Sequence, residues 1–193
     1  LKSISRINNY ELNKMIKNKN IIITGISKGL GKELCSILSE NNKIYGLSRN
    51  NHKTNNANVF HFKCDLSDEN QIKVAVNDIF KKCGSVDLLI NNAAVLKTLP
   101  ISLMSDKDIK DMVSINLLGS IFMTKYVFRY MAQKKYGRII NISSMAPKIS
   151  AVGDSIYAAT KAGLESFSKV INKEGHGINI TVNNIGISGL DTG

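Results

Sequence analysis

This 193-residue chain has no apolar run approaching the ~18 residues that a membrane-spanning helix needs. Its first twenty residues are polar and basic, without the apolar centre of a secretory signal. Neither a membrane protein nor a secreted one is expected. Cys35, Cys64 and Cys83 are odd in number and follow no pairing pattern, which excludes a disulfide framework and reads as reduced thiols in a cytoplasmic protein. His52, His61 and His176 share no ligand spacing, so no metal is expected. Acids are scarce: 15 Asp and Glu stand against 26 Lys and Arg, for a net charge of +11. The cations are scattered among asparagines, with no basic stripe and no interleaved aromatics, which argues against nucleic acid as a partner. Internal repeats and low-complexity linkers are missing too. A chain of this length, 43% apolar and 21% charged, buries one core and is too small for two full domains.

What is present is alternation. Strands are predicted at about 20–25, 43–48, 58–63, 86–91, 137–143 and 178–184. Helices lie between them, with apolar spacing such as Ile72, Val76, Ile79 and Phe80. This order predicts an α/β fold, a doubly wound parallel sheet flanked by helices on both faces. Residues 1–19 read as a basic N-terminal appendage and 20–193 as the domain itself. Between the second and third strands, residues 51–58 are polar, and His52-Lys53-Thr54-Asn55-Asn56 leaves room for a loop or a single turn.

Near the N-terminus, Ile21-Ile22-Ile23-Thr24 leads into Gly25-Ile26-Ser27-Lys28-Gly29-Leu30-Gly31, after which Leu34, Ile37 and Leu38 recur at helical spacing. Glycines in such a turn admit dihedrals closed to other residues and let the backbone approach a ligand. The following helix points unpaired N–H groups and the positive end of its dipole at the same place. Directly after a buried strand, the loop predicts a pyrophosphate site for a dinucleotide. Further on, Tyr157 and Lys161 lie four apart and therefore on one helix face. Ser144 lies thirteen residues upstream of Tyr157, closing the strand-like run 138–144. A free phenol titrates near ~10. An ammonium beside it favours the phenolate by roughly 1 to 3 units, which makes Tyr157 a usable acid and base. The Ser144 hydroxyl is suited to bond the same substrate oxygen.

Together these motifs resemble the short-chain dehydrogenase/reductase family, from about Asn20 to the last residue. Thr24-Gly25-x-x-x-Gly29-x-Gly31 matches the family's cofactor loop, and Asp65-Leu66 its adenine-contacting pair. Asn91-Asn92-Ala93-Ala94 stands where most members read Asn-Asn-Ala-Gly, and Asn116, Ser144, Tyr157 and Lys161 match the catalytic tetrad. The resemblance implies a Rossmann-like fold and hydride transfer between a nicotinamide cofactor and a carbonyl or alcohol. Tyr157 would move the proton on oxygen, Ser144 hold that oxygen, and Lys161 also reach the nicotinamide ribose. The Asn116 carbonyl would hold a water linking Lys161 to solvent. Cofactor contacts are implied for Gly25, Ser27, Lys28, Gly29, Leu30, Gly31, Ser48, Arg49, Asp65, Leu66, Asn91, Ala93, Tyr157, Lys161, Leu190 and Thr192. NAD enzymes of this fold usually carry an acid at the end of the second strand, whereas an Arg suits a 2′-phosphate. Here that strand ends in Ser48-Arg49, and Lys28 adds a second cation, which favours NADP(H) over NAD(H).

The expected substrate is a small carbonyl or alcohol of 3-oxoacyl, sugar or polyol type, free or carrier-bound. The stretch holding Lys125, Arg129, Lys134, Lys135 and Arg138 resembles 3-oxoacyl carrier-protein reductases, in which basic residues here help dock the acidic carrier. The other reading is a non-catalytic NADP(H)-binding or assembly subunit. Two helices carry apolar residues on more than one side: Ile121, Phe122, Tyr126, Val127 and Tyr130 on the first, and Leu164, Phe167, Val170 and Ile171 on the second. In the family these helices pair about a two-fold axis, so a homodimer or homotetramer is expected. The resemblance thins at the C-terminus. Ile187-Ser188 replaces the family's Pro-Gly, and the sequence reaches Gly193 about where relatives begin a substrate lid, a helix and a last strand.

Overall fold

The computed structural model describes residues 16–50 and 55–188. Its strands are β1 (Asn20–Thr24), β2 (Lys43–Ser48), β3 (Val59–Lys63), β4 (Leu88–Asn91), β5 (Gly137–Ser144) and β6 (Ile180–Ile187). They form one sheet in the order β3-β2-β1-β4-β5-β6, parallel throughout. The helices are α1 (Gly29–Leu38), α2 (Glu69–Cys83), α3 (Asp106–Met112), α4 (Ser120–Lys134), the short α5 (Ala146–Ile149) and α6 (Ser155–Gly175). A π-helical turn, Val113–Gly119, joins α3 to α4. All six predicted strands are present. β6 differs most, because 176–178 form a 3-10 turn and Asn179 takes a positive φ of 53°. Its pairing with β5 then runs on as far as Ser144↔Ile187.

Side chains alternate across a strand, and that alternation divides the core. Ile22, Tyr45, Leu47, Leu89, Ile139 and Val182 meet the apolar faces of α2 and α4. Ile21, Ile23, Ile44, Leu88, Ile90 and Ile142 meet Cys35 and Leu38 of α1 on the other side. β1 is covered on both faces, which is why its sequence is apolar without interruption. α6 packs on β5 and β6, on the same side as α2 and α4.

The end of the predicted appendage belongs to the domain. Asn42 accepts from the Lys19 N–H (3.0 Å) and donates to the carbonyls of Ile16 (3.0 Å) and Leu38 (2.9 Å), tying residues 16–19 to the turn between α1 and β2. The apolar side of α4 is largely spent within the chain. Tyr126 is buried and donates to Glu69 (2.6 Å), while Tyr130 stacks on Phe80 with ring centroids 3.7 Å apart. On α6, Leu164 is buried and Val170 remains 54% exposed. Several of the expected carrier-docking cations are likewise engaged. Lys125 pairs with Glu69 (3.7 Å) and Lys134 with Asp87 (2.9 Å), and Arg138 donates to the carbonyls of Gly137 and Asn179 (both 2.8 Å). Arg129 and Lys135 point outward from α4 and its C-cap.

Candidate active site

A cleft of about 540 Å³ opens at the C-terminal ends of the strands, where β1 and β4 lead their connections to opposite sides. Its floor at the β1 end is backbone. Gly25 takes φ +76°, and a Cβ on Gly31 would collide with the Gly25 carbonyl oxygen and the Asn92 amide. That amide is part of a clamp. Thr24 Oγ1 accepts from the N–H groups of Asn92 and Ala93 (both 3.0 Å), and Asn92 Nδ2 donates to the Thr24 carbonyl (2.9 Å). α1 starts at an extended Lys28 that supplies no side-chain cap, and its first turn carries no acid. α2, by contrast, is capped by Asp68, which accepts from the N–H groups of Asn70 (2.9 Å) and Gln71 (3.2 Å). The first N–H groups of α1 therefore face the cleft with no cap or first-turn acid among the described residues, an arrangement suited to a phosphate.

Lys28 and Arg49 both line this end of the cleft, and β2 ends without a carboxylate. Asp65 lines it as well, but its Oδ1 already accepts from the N–H (2.9 Å) and Oγ (2.8 Å) of Ser67. Cys64 lies beside it as an unpaired thiol, pushed up to about 12 by burial. A glycine cradle, an uncapped helix and two cations fit a phosphate-bearing dinucleotide.

The β4–β6 end is made of buried side chains. Lys161 is 3% exposed; its Nζ donates to the Ile142 carbonyl (2.8 Å) and lies 5.6 Å from the centroid of the Tyr157 ring. Burial lowers it from the ordinary lysine value of 10.5 to about 8. Burial also raises the Tyr157 phenol, the hydrogen bond with Ser144 pulls it back, and the charge of Asp154 adds to the rise. The lowering expected from the adjacent ammonium is thus not what dominates here, because both groups are desolvated.

Asn116 sits in the π turn with no exposed surface. It accepts from the Val95 N–H and donates to the Val95 carbonyl (both 2.8 Å), and reaches Thr160 Oγ1 (3.4 Å). Thr160 in turn donates to the Tyr157 carbonyl (2.7 Å). Asn116 thereby buckles the segment after β4 to α6. Its own carbonyl, assigned by resemblance to a water, accepts from Ser120 Oγ (3.2 Å).

Gly25, Ser27, Lys28, Gly29, Leu30, Gly31, Ser48, Arg49, Asp65, Leu66, Ala93, Tyr157 and Lys161 all line the cleft. Ser144 and Asn116 are not among the lining residues, but each bonds one that is, Ser144 to Tyr157 and Asn116 to Val95. Asn91 is not among the lining residues. Alternation on β4 turns it to the α4 side with Leu89, where it donates to Thr124 Oγ1 (3.1 Å) and to its strand partner Asn141 (2.7 Å), so Asn92 lines the cleft instead. Leu190 and Thr192 lie outside the described residues. Val95, Leu96, Ile115 and Ser143 line the cleft without having been singled out. Of these, Ser143 had a signal, since it directly precedes Ser144 and its hydroxyl donates to Glu165 (2.6 Å) on α6.

The chain is 35% identical to a 3-oxoacyl-[acyl-carrier-protein] reductase of Buchnera aphidicola, over 87% of its own length and 72% of the relative's. It is also 35% identical to carbonyl reductase family member 4 of Xenopus tropicalis, over 83% and 71%. A 2-dehydro-3-deoxy-D-gluconate 5-dehydrogenase of Formosa agariphila matches at 29% identity, over 89% and 69%. A short-chain dehydrogenase structure from Streptomyces avermitilis shares the fold, with a TM-score of 0.86 at 24% identity over 92% of this chain and 68% of that one. The short chain dehydrogenase family model matches residues 19–193, and the chain belongs to that family of oxidoreductases.

Proposed function

We propose that this protein is an NADP(H)-dependent reductase of a 3-oxoacyl-type carbonyl, with Tyr157 as the residue that moves the proton. One observation carries the reading: Tyr157, bonded to Ser144 and with Lys161 beside it, opens into the same cleft as the glycine cradle and the cations Lys28 and Arg49. When bound, the nicotinamide cofactor supplies or accepts the hydride. Ser144 holds the substrate oxygen, Tyr157 gives or takes the proton there, and the buried Lys161 is the cation beside that exchange. Asn116 sets the position of Val95 in the cleft wall and of the helix carrying Tyr157.

An acyl chain is favoured over a sugar by the rim. Leu96, which lines the cleft, is 59% exposed, and Ile101, Ile149 and Val152, in the segments that follow β4 and β5, are 57%, 62% and 91% exposed. Those segments are joined by Thr98 Oγ1 donating to Asp154 (2.8 Å) and the Leu99 N–H donating to the Gly153 carbonyl (3.1 Å). The named activity of the Buchnera relative agrees. Arg129 and Lys135 are the cations left for an acidic carrier. Assembly as a homodimer or homotetramer and a cytoplasmic location belong to the same reading.

The test is NADPH oxidation with a panel of 3-oxoacyl thioesters, ketones and keto-sugars. Tyr157→Phe is expected to lower turnover roughly 100- to 10,000-fold while NADPH affinity stays within a few fold. Unchanged turnover in that variant would sink the assignment. NADPH binding without turnover of any substrate would favour the non-catalytic subunit.

A further inference from the structure

The end of β2 carries a hydrogen-bond arrangement that determines where a proton sits. Ser48 Oγ lies 2.8 Å from the Asn50 carbonyl oxygen and 2.9 Å from His61 Nε2. A serine hydroxyl has one proton. Two oxygens 2.8 Å apart need a proton between them, and a carbonyl has none to give, so the hydroxyl proton lies toward Asn50. The contact to the ring must then be made by the ring's own proton, which puts a proton on His61 Nε2 and makes His61 the donor. The first donation closes a three-residue turn, 48–50, with Arg49 at its centre, and the second ties the start of that turn to β3. Ser48 is 7% exposed, and its carbonyl also accepts from the Cys64 N–H (3.1 Å), so the turn is held from β3 on both sides.

We infer that His61 is a positioning residue for cofactor choice: by donating from Nε2 to Ser48 Oγ it holds the 48–50 turn that aims Arg49 into the cleft, and so selects a dinucleotide bearing a 2′-phosphate. The inference rests on the NADP(H) reading above. His61 sits on β3, one strand removed from Arg49, and is not itself among the cleft residues nearest the glycine loop. It acts through Ser48. Loss of its donor leaves Arg49 in place chemically but lets the turn and the hydroxyl rotate, which weakens a ligand that needs the guanidinium in one orientation. A ligand with a free 2′-hydroxyl does not call on Arg49 and is little affected.

Three forms of the full chain test this: wild type, His61→Leu, which has no donor, and His61→Gln, whose amide nitrogen donates from about the place of Nε2. The readout is equilibrium binding of NADPH and of NADH by cofactor fluorescence, together with thermal midpoints. Wild type is expected to prefer NADPH. His61→Leu should bind NADPH about three- to tenfold more weakly, as the loss of one hydrogen bond implies, with NADH changed less than twofold. His61→Gln should recover most of the preference. If His61→Leu does not fold, His61→Asn replaces it, because its shorter amide cannot reach Ser48. Equal weakening of both cofactors, or a Gln variant no better than Leu, would overturn the role of His61 and leave the NADP(H) reading standing. Wild type that binds NADH as tightly as NADPH would overturn both.

Discussion

The two ends of the cleft are built by different means. At the β1–β2 end the contact surface is mostly backbone: glycines with no side chain to interfere, the uncapped start of α1, and a loop clamped by Thr24 and Asn92. At the β4–β6 end it is mostly side chain. Asn116, Thr160, Lys161, Asn141 and Ser168 are each nearly or wholly buried and each has a named partner. The first end presents a shape and a field to whatever binds. The second holds a network of paired polar groups in a low-dielectric setting, where every polar group left unpaired is costly. Backbone is the better material for binding a ligand common to many enzymes, and side chains for chemistry that depends on one phenol.

That contrast can be broken at either end. The largest effect on binding is expected from Gly31→Val, whose branched side chain would drive into the Gly25 carbonyl and the Asn92 amide. Overpacking of this kind costs roughly 1–3 kcal/mol, so where the strain falls on the cradle NADPH affinity should drop by roughly 5- to 150-fold. Tyr157→Phe spares binding and removes turnover, so the two variants should dissociate the two functions in opposite senses. Fluorescence titration of Gly31→Val that matched wild type would show that the cradle does not depend on the missing Cβ. A smaller effect, on stability, is expected from Asn116→Ala. It leaves the Val95 N–H and carbonyl without their partners, at roughly 1–3 kcal/mol for each group that water does not reach. Urea unfolding reads this loss. A midpoint equal to that of wild type would mean that the buckle between the segment after β4 and α6 contributes nothing.

The same contrast explains what could be read in advance. The glycine loop was legible because its reason is local: residues 25–31 need dihedrals and clearances that only glycine provides, and β1 announces itself by being apolar on both faces. Tyr157 and Lys161 were legible by helical spacing. Their electrostatics were not, since the phenol and the ammonium respond first to burial, which is set by packing far away in sequence. The side-chain direction of Asn91 was hidden for a related reason. In Asn91-Asn92 the choice of which amide faces the cleft depends on strand register, and the pairing Asn91↔Asn141 decides it. The π turn around Asn116 and the Asn116–Val95 pairing join residues 21 apart that no periodicity connects. On α4, apolar spacing showed that several faces would be covered but not that α2 would do the covering through Glu69, Asn77 and Phe80.

The burial of Lys161 also has a thermodynamic signature. In the unfolded chain its ammonium keeps a proton up to the ordinary value of 10.5, whereas in the folded chain it lets go at about 8. Below about 8 both states are charged, and the folded state carries the full desolvation penalty. Between about 8 and 10.5 the unfolded state binds more protons than the folded one, so this residue makes the fold more stable as pH rises through that window. A ligand oxygen offered to Nζ reverses the bias by favouring the charged form. Ligand entry near pH 8 is then expected to draw a fraction of a proton from solvent, which makes the binding itself pH-dependent.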